Sequence, residues 1–285
     1  MNAPQLPASS LDVLAQRARE GDRNALEQLV RGLQDPMYRL ALRVLGRGEL
    51  ARDATQEILI LIITQLSSFR SESAVQTWAY RVATRHLLRQ RRRERRFTFE
   101  SLAEEDLGKP PNAIEPDALA LADQRLLEEE IFLGCTQAML QALDRAQRIA
   151  FVLGAICELE AADAAYALGI TETAFRKRLS RARAMLDAFL GKHCGVANPA
   201  NRCRCAFQVN HNIARRRLDP ARLQYANCAV SSAKTSLEVL DAQRDIRRVH
   251  RSLELFRAQP RFASTEDFAA HVRSMLASAS ALSVS

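Results

Sequence analysis

Two basic, helix-forming stretches separated by an acidic segment constrain the fold of this chain most strongly. Residues 81–96 carry eight arginines against one glutamate, and residues 171–183 carry five basic residues. Residues 97–130, which lie between them, carry two basic residues against ten acidic ones. The prolines of this acidic segment break any helix there, and its charge prevents it from forming a core. The sequence therefore predicts two helical modules joined by a linker.

The rest of the chain also favours helices over strands. Glycine and proline are sparse, at 10 and 9 of 285 residues, and no stretch alternates polar and apolar residues as a half-buried strand does. With 47% hydrophobic residues, the chain can bury two or three small cores. We predict an all-α fold of two small helical domains, a flexible linker and a helical C-terminal extension. Their predicted boundaries are 11–96, 97–122, 123–190 and 191–285.

Capping residues and apolar spacing predict the helices of the first domain. Asp22 can cap the first of them, and Ser73 with Gln76 forms a capping box for the third. The second helix is apolar on almost every side at residues 58–63, so it is either a central core helix or part of a partner surface. The predicted helices cover residues 23–46, 50–66 and 74–95.

Residues 161–190 match a helix–turn–helix arrangement. The first helix ends at Gly169, which can adopt a positive φ, and Thr171 can cap the helix that follows. A helix fits the major groove of duplex DNA, and arginine is the commonest reader of guanine edges. The second helix is therefore a candidate recognition helix, and a basic surface helix that packs only on its neighbour is the alternative. Its candidate DNA contacts are Thr171, Thr173, Arg176, Lys177, Arg178 and Arg181.

The arginine-rich end of the first domain is a second candidate DNA surface. The cluster from Arg89 to Arg96 can neutralise phosphates, which gives affinity without sequence choice. Trp78 and Tyr80 lie upstream on the same predicted helix and can stack on the bases of opened DNA. A core position is the alternative for Trp78, and a polybasic tail is the alternative for the arginines.

Charge and composition narrow the possible function classes. The net charge of +8 and the isoelectric point near 9.6 indicate a polyanionic partner. The chain shows no secretory signal pattern, and its longest apolar run is too short to span a bilayer. We therefore expect a cytoplasmic protein without membrane insertion. No glycine-rich phosphate loop, paired-histidine metal motif or persuasive nucleophile–base set is present, so we do not expect an enzyme.

A cysteine-rich loop opens the C-terminal extension. His193, Cys194, Cys203 and Cys205 supply four soft ligands within thirteen residues, and such ligands bind zinc tetrahedrally. The predicted zinc is structural, and no other cofactor is expected. Because Cys-x-Cys is not the usual zinc-finger spacing, a thiol redox switch and unpaired cysteines stay open as alternatives.

Residues 52–57 and 69–83 resemble region 2 of bacterial RNA polymerase sigma factors of the extracytoplasmic-function (ECF) type. The helix–turn–helix, at residues 145–190, resembles region 4 of the same family. The pieces occur in the family's order and spacing over residues 11–190, whereas a minimal member lacks the C-terminal extension. The resemblance implies a transcription initiation factor that binds core RNA polymerase and promoter DNA, recognises the minus-ten and minus-thirty-five elements and promotes melting. It also admits an anti-sigma factor as a partner.

The resemblance further implies roles for single positions. Asp53, Gln56 and Glu57 would dock on the coiled coil of the polymerase clamp. The loop that begins at Phe69 would hold a flipped base of the minus-ten element, at an unstacking cost of roughly a few kcal/mol. The recognition helix would read the minus-thirty-five element, and the acidic linker would thread the RNA exit path. The other DNA contacts implied in region 2 are Arg70, Ser71, Trp78, Tyr80, Arg81, Arg85 and Arg89.

Two other functions stay open at this point. A stand-alone helix–turn–helix regulator would bind duplex DNA without polymerase, although the acidic linker and the Asp53–Glu57 segment argue against it. A small enzyme or metal sensor centred on the cysteine loop would lose its activity in Cys203→Ser while its DNA binding stays intact.

Overall fold

The computed structural model describes residues 8–89, 97–104, 121–226, 251–264 and 266–274. The regular elements in these residues are helices, as predicted, and Cys194 and Cys203 pair in an isolated β-bridge. In this part of the chain no helix is long and apolar enough to cross a membrane. The helices are α1 (Ala8–Arg19), α2 (Arg23–Leu45), α3 (Gly48–Gln65), α4 (Val75–Arg89), α5 (Phe99–Glu104), α6 (Leu121–Ala142), α7 (Arg145–Phe151), α8 (Ala161–Leu168), α9 (Glu172–His193), α10 (Cys205–Ala214), α11 (Arg251–Arg257) and α12 (residues 268–274), with a 3-10 turn at Leu66–Ser68 and a π-helical turn at Val152–Ile156.

The helices assemble into two compact units, each built from separate pieces of the chain. The first unit combines residues 1–92 with residues 160–175 and 263–285. The second unit combines residues 93–159 with residues 176–262. The first helix of the helix–turn–helix, α8, therefore folds with the N-terminal helices, whereas most of α9 belongs to the other unit.

The ends of α2 follow the sequence prediction closely. The side chain of Asp22 accepts a hydrogen bond from the N–H of Ala25 at 3.0 Å. Gly46 ends the helix with a φ of 75°, in the left-handed region that glycine adopts without steric penalty. Pro36 lies inside the helix and is buried, so one turn of α2 lacks a backbone donor. The buried stripe of α2 includes Leu29, Leu33, Met37, Leu40, Ala41 and Val44.

The apolar run of α3 is divided between the core and a partly open side. Its buried members are Ile58, Leu59 and Ile62, and its half-buried members are Ile60, Leu61 and Ile63. The run therefore belongs to a core helix that keeps one apolar edge partly accessible.

The N-terminal cap of α4 comes from a residue that is distant in sequence. The N–H of Val75 donates to Oδ1 of Asp12 in α1 at 2.6 Å. The hydroxyl of Ser73, which the sequence predicts as the cap, instead donates to the carbonyl oxygen of Ala74 at 3.4 Å. A side-chain cap contributes about 0.5–2 kcal/mol to helix stability. Asp12 therefore fixes the start of α4 on α1.

A buried arginine joins α6 to α7 in the second unit. The guanidinium of Arg148 donates to the carbonyl oxygens of Leu140, Gln141 and Leu143 at 2.8 to 3.1 Å. The last carbonyl groups of a helix have no partner within it, so Arg148 satisfies groups that α6 cannot satisfy itself. Asp144 caps α7 by accepting a hydrogen bond from Gln147 N at 2.8 Å.

Part of the C-terminal extension folds onto the helices of the second unit. The buried carboxylate of Glu130, in α6, accepts hydrogen bonds from the N–H groups of Gln224, Tyr225 and Ala226 at 2.8 to 2.9 Å. Asp187, in α9, accepts a hydrogen bond from Ser252 N at 2.7 Å. Carboxylates on α6 and α9 therefore hold two parts of the extension by their backbone.

A short helix, α5, lies at the start of the predicted linker, in the part that the structure describes. Thr98 and Ser101 cap α5 reciprocally, because the hydroxyl oxygen of each accepts a hydrogen bond from the other's N–H at 3.0 Å. The ring centroid of Phe99 lies 5.3 Å from that of Phe189 in α9. Two predicted segments lie outside the described residues, the arginines at 90–96 and residues 105–120 of the linker, and so do residues 227–250 of the C-terminal extension.

Candidate nucleic-acid interface

The turn between α8 and α9 has the geometry predicted for a helix–turn–helix. α8 ends at Gly169, whose φ is 66°, and the hydroxyl of Thr171 accepts a hydrogen bond from Ala174 N at 3.2 Å. A Cβ at Gly169 would meet no atom within 4 Å, so the backbone conformation alone favours glycine there. The turn therefore sets the point at which α9 begins.

α9 has a buried apolar face and an exposed basic face. Phe175, Ala182 and Leu186 are buried, and their spacing places them on one side of the helix. The predicted contacts at Thr171, Thr173, Arg176, Lys177 and Arg181 are exposed, and Arg178 is half-buried. Recognition helices that enter the major groove contact the DNA through residues near their N-terminal end, where α9 has these exposed cations.

The aromatic side chains predicted to contact bases are buried in the first unit. The rings of Phe69 and Trp78 pack with their centroids 5.4 Å apart. Tyr80 is also buried. In this structure Trp78 occupies a core position, which is the alternative that the sequence left open. Base contact by these three rings stays a prediction, since each ring would first have to become accessible.

The loop before α4 exposes polar groups next to this aromatic pair. Arg70 and Ser71 are exposed, and Ser71 has a φ of 57°, in the left-handed region. Such a conformation costs a non-glycine residue about 1–3 kcal/mol and is concentrated at functional sites. Arg85 and Arg89 of α4 are also exposed. These three arginines can therefore reach phosphates without any rearrangement of the core.

Arg81, another predicted DNA contact on α4, is engaged by the helix–turn–helix. Its guanidinium carbon lies 4.3 Å from the ring centroid of Tyr166, and its Nη1 donates to the Tyr166 carbonyl oxygen at 3.3 Å. Nearby, Thr84 Oγ1 donates to the buried carbonyl oxygen of Ala167 at 2.6 Å. α8 therefore covers part of α4. Neither Thr84 nor Tyr166 belongs to a charged motif, so the sequence carries no signal for this contact.

The predicted polymerase-binding residues lie on one side of α3. Asp53 and Glu57 are exposed one turn apart, and Gln56 is half-buried beside them. Glu57 Oε2 lies 3.1 Å from His86 Nε2 of α4. Gln56 Nε2 lies 2.9 Å from His271 Nε2 of α12. The structure thus brings the three residues together and gives two of them contacts elsewhere in the first unit.

The cysteine loop collects thiols from two parts of the chain. Burial raises the pKa of Cys205 well above its usual range, and the neighbouring thiols of Cys194, Cys135 and Cys203 raise it further. Cys135 lies in α6, far from the loop in the sequence, so no sequence pattern indicated that its thiol lies near that of Cys205. Burial also raises the pKa of Cys203 to about 11. The ring of His193, the fourth predicted ligand, packs on Phe189 with centroids 4.9 Å apart.

Backbone N–H groups of the same loop point at two of the sulfur atoms. Burial raises the pKa of Cys194, as it does that of Cys203, and the N–H groups of Ala197 and Val196 at Cys194 and of Gly195 at Cys203 offset only part of this rise. Among the residues that the structure describes, no group of three or more His, Cys, Asp or Glu side chains is arranged to hold a metal ion. The structural zinc stays a prediction.

Comparison with protein families assigns the two modules separately. Sigma-70 region 2 matches residues 29–97, and Sigma-70 region 4 matches residues 133–186. The first range contains α3, the exposed loop and α4, and the second contains α8, the turn and α9 as far as residue 186. The residues discussed on α3, α4 and α9 therefore fall inside the matched regions, whereas the cysteine loop lies beyond them.

Two relatives found by sequence, SigE and SigM, agree with this assignment. Over 176 residues the chain is 31% identical to the ECF RNA polymerase sigma factor SigE of Mycolicibacterium smegmatis, and the alignment spans 61% of this chain and 65% of SigE, just under two thirds of it. Among solved structures, CnrH in complex with the cytosolic domain of CnrY shares 24% identity at a TM-score of 0.46, over 64% of this chain and 97% of CnrH. Over 171 residues the chain is 30% identical to the ECF RNA polymerase sigma factor SigM of Mycobacterium tuberculosis, across 60% of this chain and 80% of SigM. With both sigma-70 regions present in order and most of SigM covered, this chain belongs to the family of ECF RNA polymerase sigma factors.

Proposed function

We propose that this sigma factor directs core RNA polymerase to its promoters by holding the DNA at two places. α9 reads the minus-thirty-five element in the major groove, and the Phe69–Ala74 loop with α4 engages the minus-ten element as it opens. The polymerase supplies the catalysis, and the protein contributes no reaction step of its own. It acts in the cytoplasm, with the polymerase. An anti-sigma partner stays a prediction.

The observation that carries the proposal is the exposed basic start of α9. Arg176 and Lys177 are adjacent and exposed, and Arg181 follows them on the same helix. A bidentate arginine contact to a base discriminates against the wrong base by about 1–3 kcal/mol. The exposed Thr171 and Thr173 lie at the N-terminus of α9, where N–H groups and the helix dipole favour a phosphate.

The first unit supports the second DNA contact. Arg70, Arg85 and Arg89 are exposed and can neutralise phosphates of the opened strands. The Phe69–Trp78 pair lies where the loop meets α4, so movement of the loop would uncover aromatic surface. Stacking of a base on such a ring contributes about 1–3 kcal/mol. Phosphate contact therefore precedes base contact in this proposal.

The polar side of α3 supports binding to the polymerase. Asp53 and Glu57 place two exposed carboxylates one turn apart, which suits a partner surface of opposite charge. A regulator that binds duplex DNA alone needs no such surface for polymerase. We assign this side of α3 to core polymerase.

Run-off transcription with purified core polymerase tests the recognition contact. Arg176→Ala is expected to weaken binding of the upstream duplex about tenfold and to lower the promoter-specific transcript, because it removes one base or phosphate contact. Lys192→Ala removes one exposed charge from the far end of α9 and is the matched control. The proposal fails if the wild type binds duplex DNA in a salt-sensitive way but gives no promoter-specific transcript and does not associate with core polymerase. The protein would then be a stand-alone regulator.

Arg85→Ala tests the contact with the opening DNA separately. It removes an exposed cation of α4 and is expected to slow open-complex formation on a duplex promoter. Binding to the upstream duplex should be unchanged, since α9 is untouched. Equal losses in both assays would show that the two contacts are not separate.

A further inference from the structure

We infer that the side of α2 and α3 assigned to polymerase is also the docking surface for a segment of the chain's own C-terminal extension. The segment, residues 264 and 266–274, is called the arm below. It includes α12 and belongs to the first unit. Arm docking and polymerase binding compete, so the arm lowers the apparent affinity of the protein for core polymerase. The inference rests on the proposed function for the polymerase assignment and on the contacts below for the docking.

The arm contacts α3 at residues that lie among the predicted polymerase contacts. Arg52 Nε lies 3.0 Å from Glu266 Oε1, and Gln56 Nε2 lies 2.9 Å from His271 Nε2. Arg52 and Gln56 are one turn apart on α3, and Asp53 directly follows Arg52 in the sequence. The arm therefore contacts one of the three predicted polymerase residues, Gln56, and lies along the edge of α3 next to the exposed Asp53 and Glu57.

A second row of contacts joins the arm to α2. Glu27, Arg31 and Asp35 lie at successive four-residue steps, so they form one stripe along the helix. The guanidinium of Arg273 forms two hydrogen bonds with the carboxylate of Glu27, one of them from Nε at 3.0 Å. The other pairings in this row are Arg31 Nη1 with Asp267 Oδ2 at 3.7 Å and Ser264 N with Asp35 Oδ1 at 3.4 Å.

The alternation of charge along this stripe fixes the position of the arm. The stripe reads acidic, basic, acidic from Glu27 to Asp35, and the arm offers a cation, an anion and an N–H group in the matching order. A shift of the arm by one turn of α2 would place Arg273 against Arg31 in one direction, or Asp267 against Glu27 in the other. Such juxtapositions disfavour alternative pairings. The contact is therefore specific to one register.

Apolar side chains of the arm lie between these polar contacts. Phe268, Ala269 and Val272 are buried, and their spacing places them on one face of α12. Glu266, Asp267, His271 and Arg273 are exposed around them. A buried apolar centre with a polar rim is the usual anatomy of a specific but separable interface.

The contact is suited to displacement by a larger partner. The ion pairs are between about a quarter and three-fifths exposed, and exposed pairs of this kind contribute little individually. Gln56 cannot face His271 and a polymerase surface at the same time. The apparent dissociation constant equals the intrinsic one divided by the fraction of protein that is competent to bind, here the fraction with the arm undocked. Weakening the arm contact should therefore tighten polymerase binding.

Titration of the full chain with core polymerase tests this competition. Val272→Asp places a charge in the buried centre of the arm contact and is expected to tighten binding roughly tenfold, which corresponds to a docked form that predominates about ten to one. Arg273→Glu should tighten binding by a smaller factor. The double variant Glu27→Arg with Arg273→Glu re-forms the pair with reversed charges and should return binding toward the wild-type value. Arg222→Glu, an exposed residue of the second unit, carries the same charge change and should bind as the wild type does.

Hydrogen exchange of residues 268–272 without polymerase gives a second, independent readout. Protection in the wild type that is lost in Val272→Asp and restored in the charge-swapped pair would confirm docking. Identical polymerase affinities for all variants, despite this protection, would overturn the competition. Unprotected residues 268–272 in the wild type would overturn docking itself. If docking is confirmed but no variant binds core polymerase, the proposed function fails, and competition fails with it.

Discussion

Several charged side chains in this protein bind backbone groups rather than one another. Glu130 and Asp187 hold N–H groups of the C-terminal extension, Asp12 caps α4, and Arg148 satisfies carbonyl groups at the end of α6. A charged residue that binds backbone groups in this way looks in the sequence like any member of a solvated helix face. Composition therefore predicted the helices of these residues but could not predict their partners.

Loss of the Glu130 carboxylate should destabilise the second unit. Glu130→Ala leaves the N–H groups of residues 224–226 without their acceptor, and we expect a loss of about 2–3 kcal/mol in the free energy of unfolding. Glu128→Ala is the control, because that side chain accepts a hydrogen bond from Gln124 only one turn away. Chemical denaturation of both variants measures the difference, and equal stabilities would contradict the role assigned to Glu130.

The Asp35 carboxylate should make the first unit sensitive to pH. Burial raises the pKa of Asp35, against the lowering effects of the Ser264 N–H and of Arg39. A carboxyl whose pKa is raised by folding stabilises the fold below its unfolded pKa, and this contribution is lost as pH rises through the folded value. Asp35→Asn keeps an acceptor for Ser264 and should unfold at a higher temperature than the wild type at pH 7. That advantage should shrink as pH falls through the raised pKa of Asp35, and a constant difference across pH would contradict the assignment.

At the scale of elements, the packing of α8 on α4 gives a prediction about DNA binding. Tyr166→Ala removes the ring over Arg81 and leaves this cation held only by the Tyr166 carbonyl oxygen, at a cost of about 0.5–1 kcal/mol in stability. Binding of single-stranded minus-ten DNA should tighten, because Arg81 becomes available to phosphates. Tyr166→Phe keeps a ring at the same place and should behave as the wild type does. Weaker binding in Tyr166→Ala alone would mean that the ring positions Arg81 for DNA instead of withholding it.

The cysteine loop gives a prediction about metal content. If the predicted structural zinc is present, the purified chain should contain about one zinc ion and Cys203→Ser should lose it, since such sites use four ligands. Cys157→Ser, at the end of the π-helical turn, is the control. Comparing His193→Ala with Cys135→Ser then identifies the fourth ligand, because both side chains lie near the loop. If the wild type is folded and free of metal, the zinc site is excluded, and a redox switch or unpaired thiols are the remaining interpretations of the cysteine loop.

Local signals predicted the elements better than their partners. Gly169, Thr171 and Asp22 each act within four residues of their own position, and the structure confirms all three. The start of α4 was assigned to Ser73 by the same reasoning, but Asp12 provides the acceptor. A cap from 63 positions away depends on the packing of α1, which no local pattern records.

At the scale of the whole molecule, the order of segments along the chain does not match the composition of the compact units. The sequence predicts a first domain at 11–96 and a helix–turn–helix domain at 123–190. The first unit nevertheless takes in α8 and α12, which come from far along the chain. Thr84, Tyr166 and the arm hold these pieces together through ordinary polar and apolar contacts. Such contacts are common on any helix surface, so the sequence alone could not single them out.

The charge of the whole chain predicts how its DNA binding responds to salt. With a net charge of +8, the protein should bind non-specific duplex DNA with an affinity that falls linearly with salt on logarithmic axes. Arg176→Ala should reduce the slope by about 0.9 if Arg176 contacts a phosphate, and should leave it unchanged if Arg176 contacts only a base. Fluorescence titrations at several salt concentrations distinguish these cases, and a salt-independent affinity would argue against binding of DNA by charge.

The Asp12 cap also bears on how this protein can be divided for experiments. The matched region 2 begins at residue 29, so a fragment trimmed to that boundary would lack α1 and the acceptor for Val75 N–H. In such a fragment the first turn of α4 would fray, and the neighbouring loop that carries Arg70 and Ser71 would lose its anchor. Weak promoter melting by that fragment would then reflect the cut and not the residues under study. Boundaries taken from family matches would understate what this sigma factor can do.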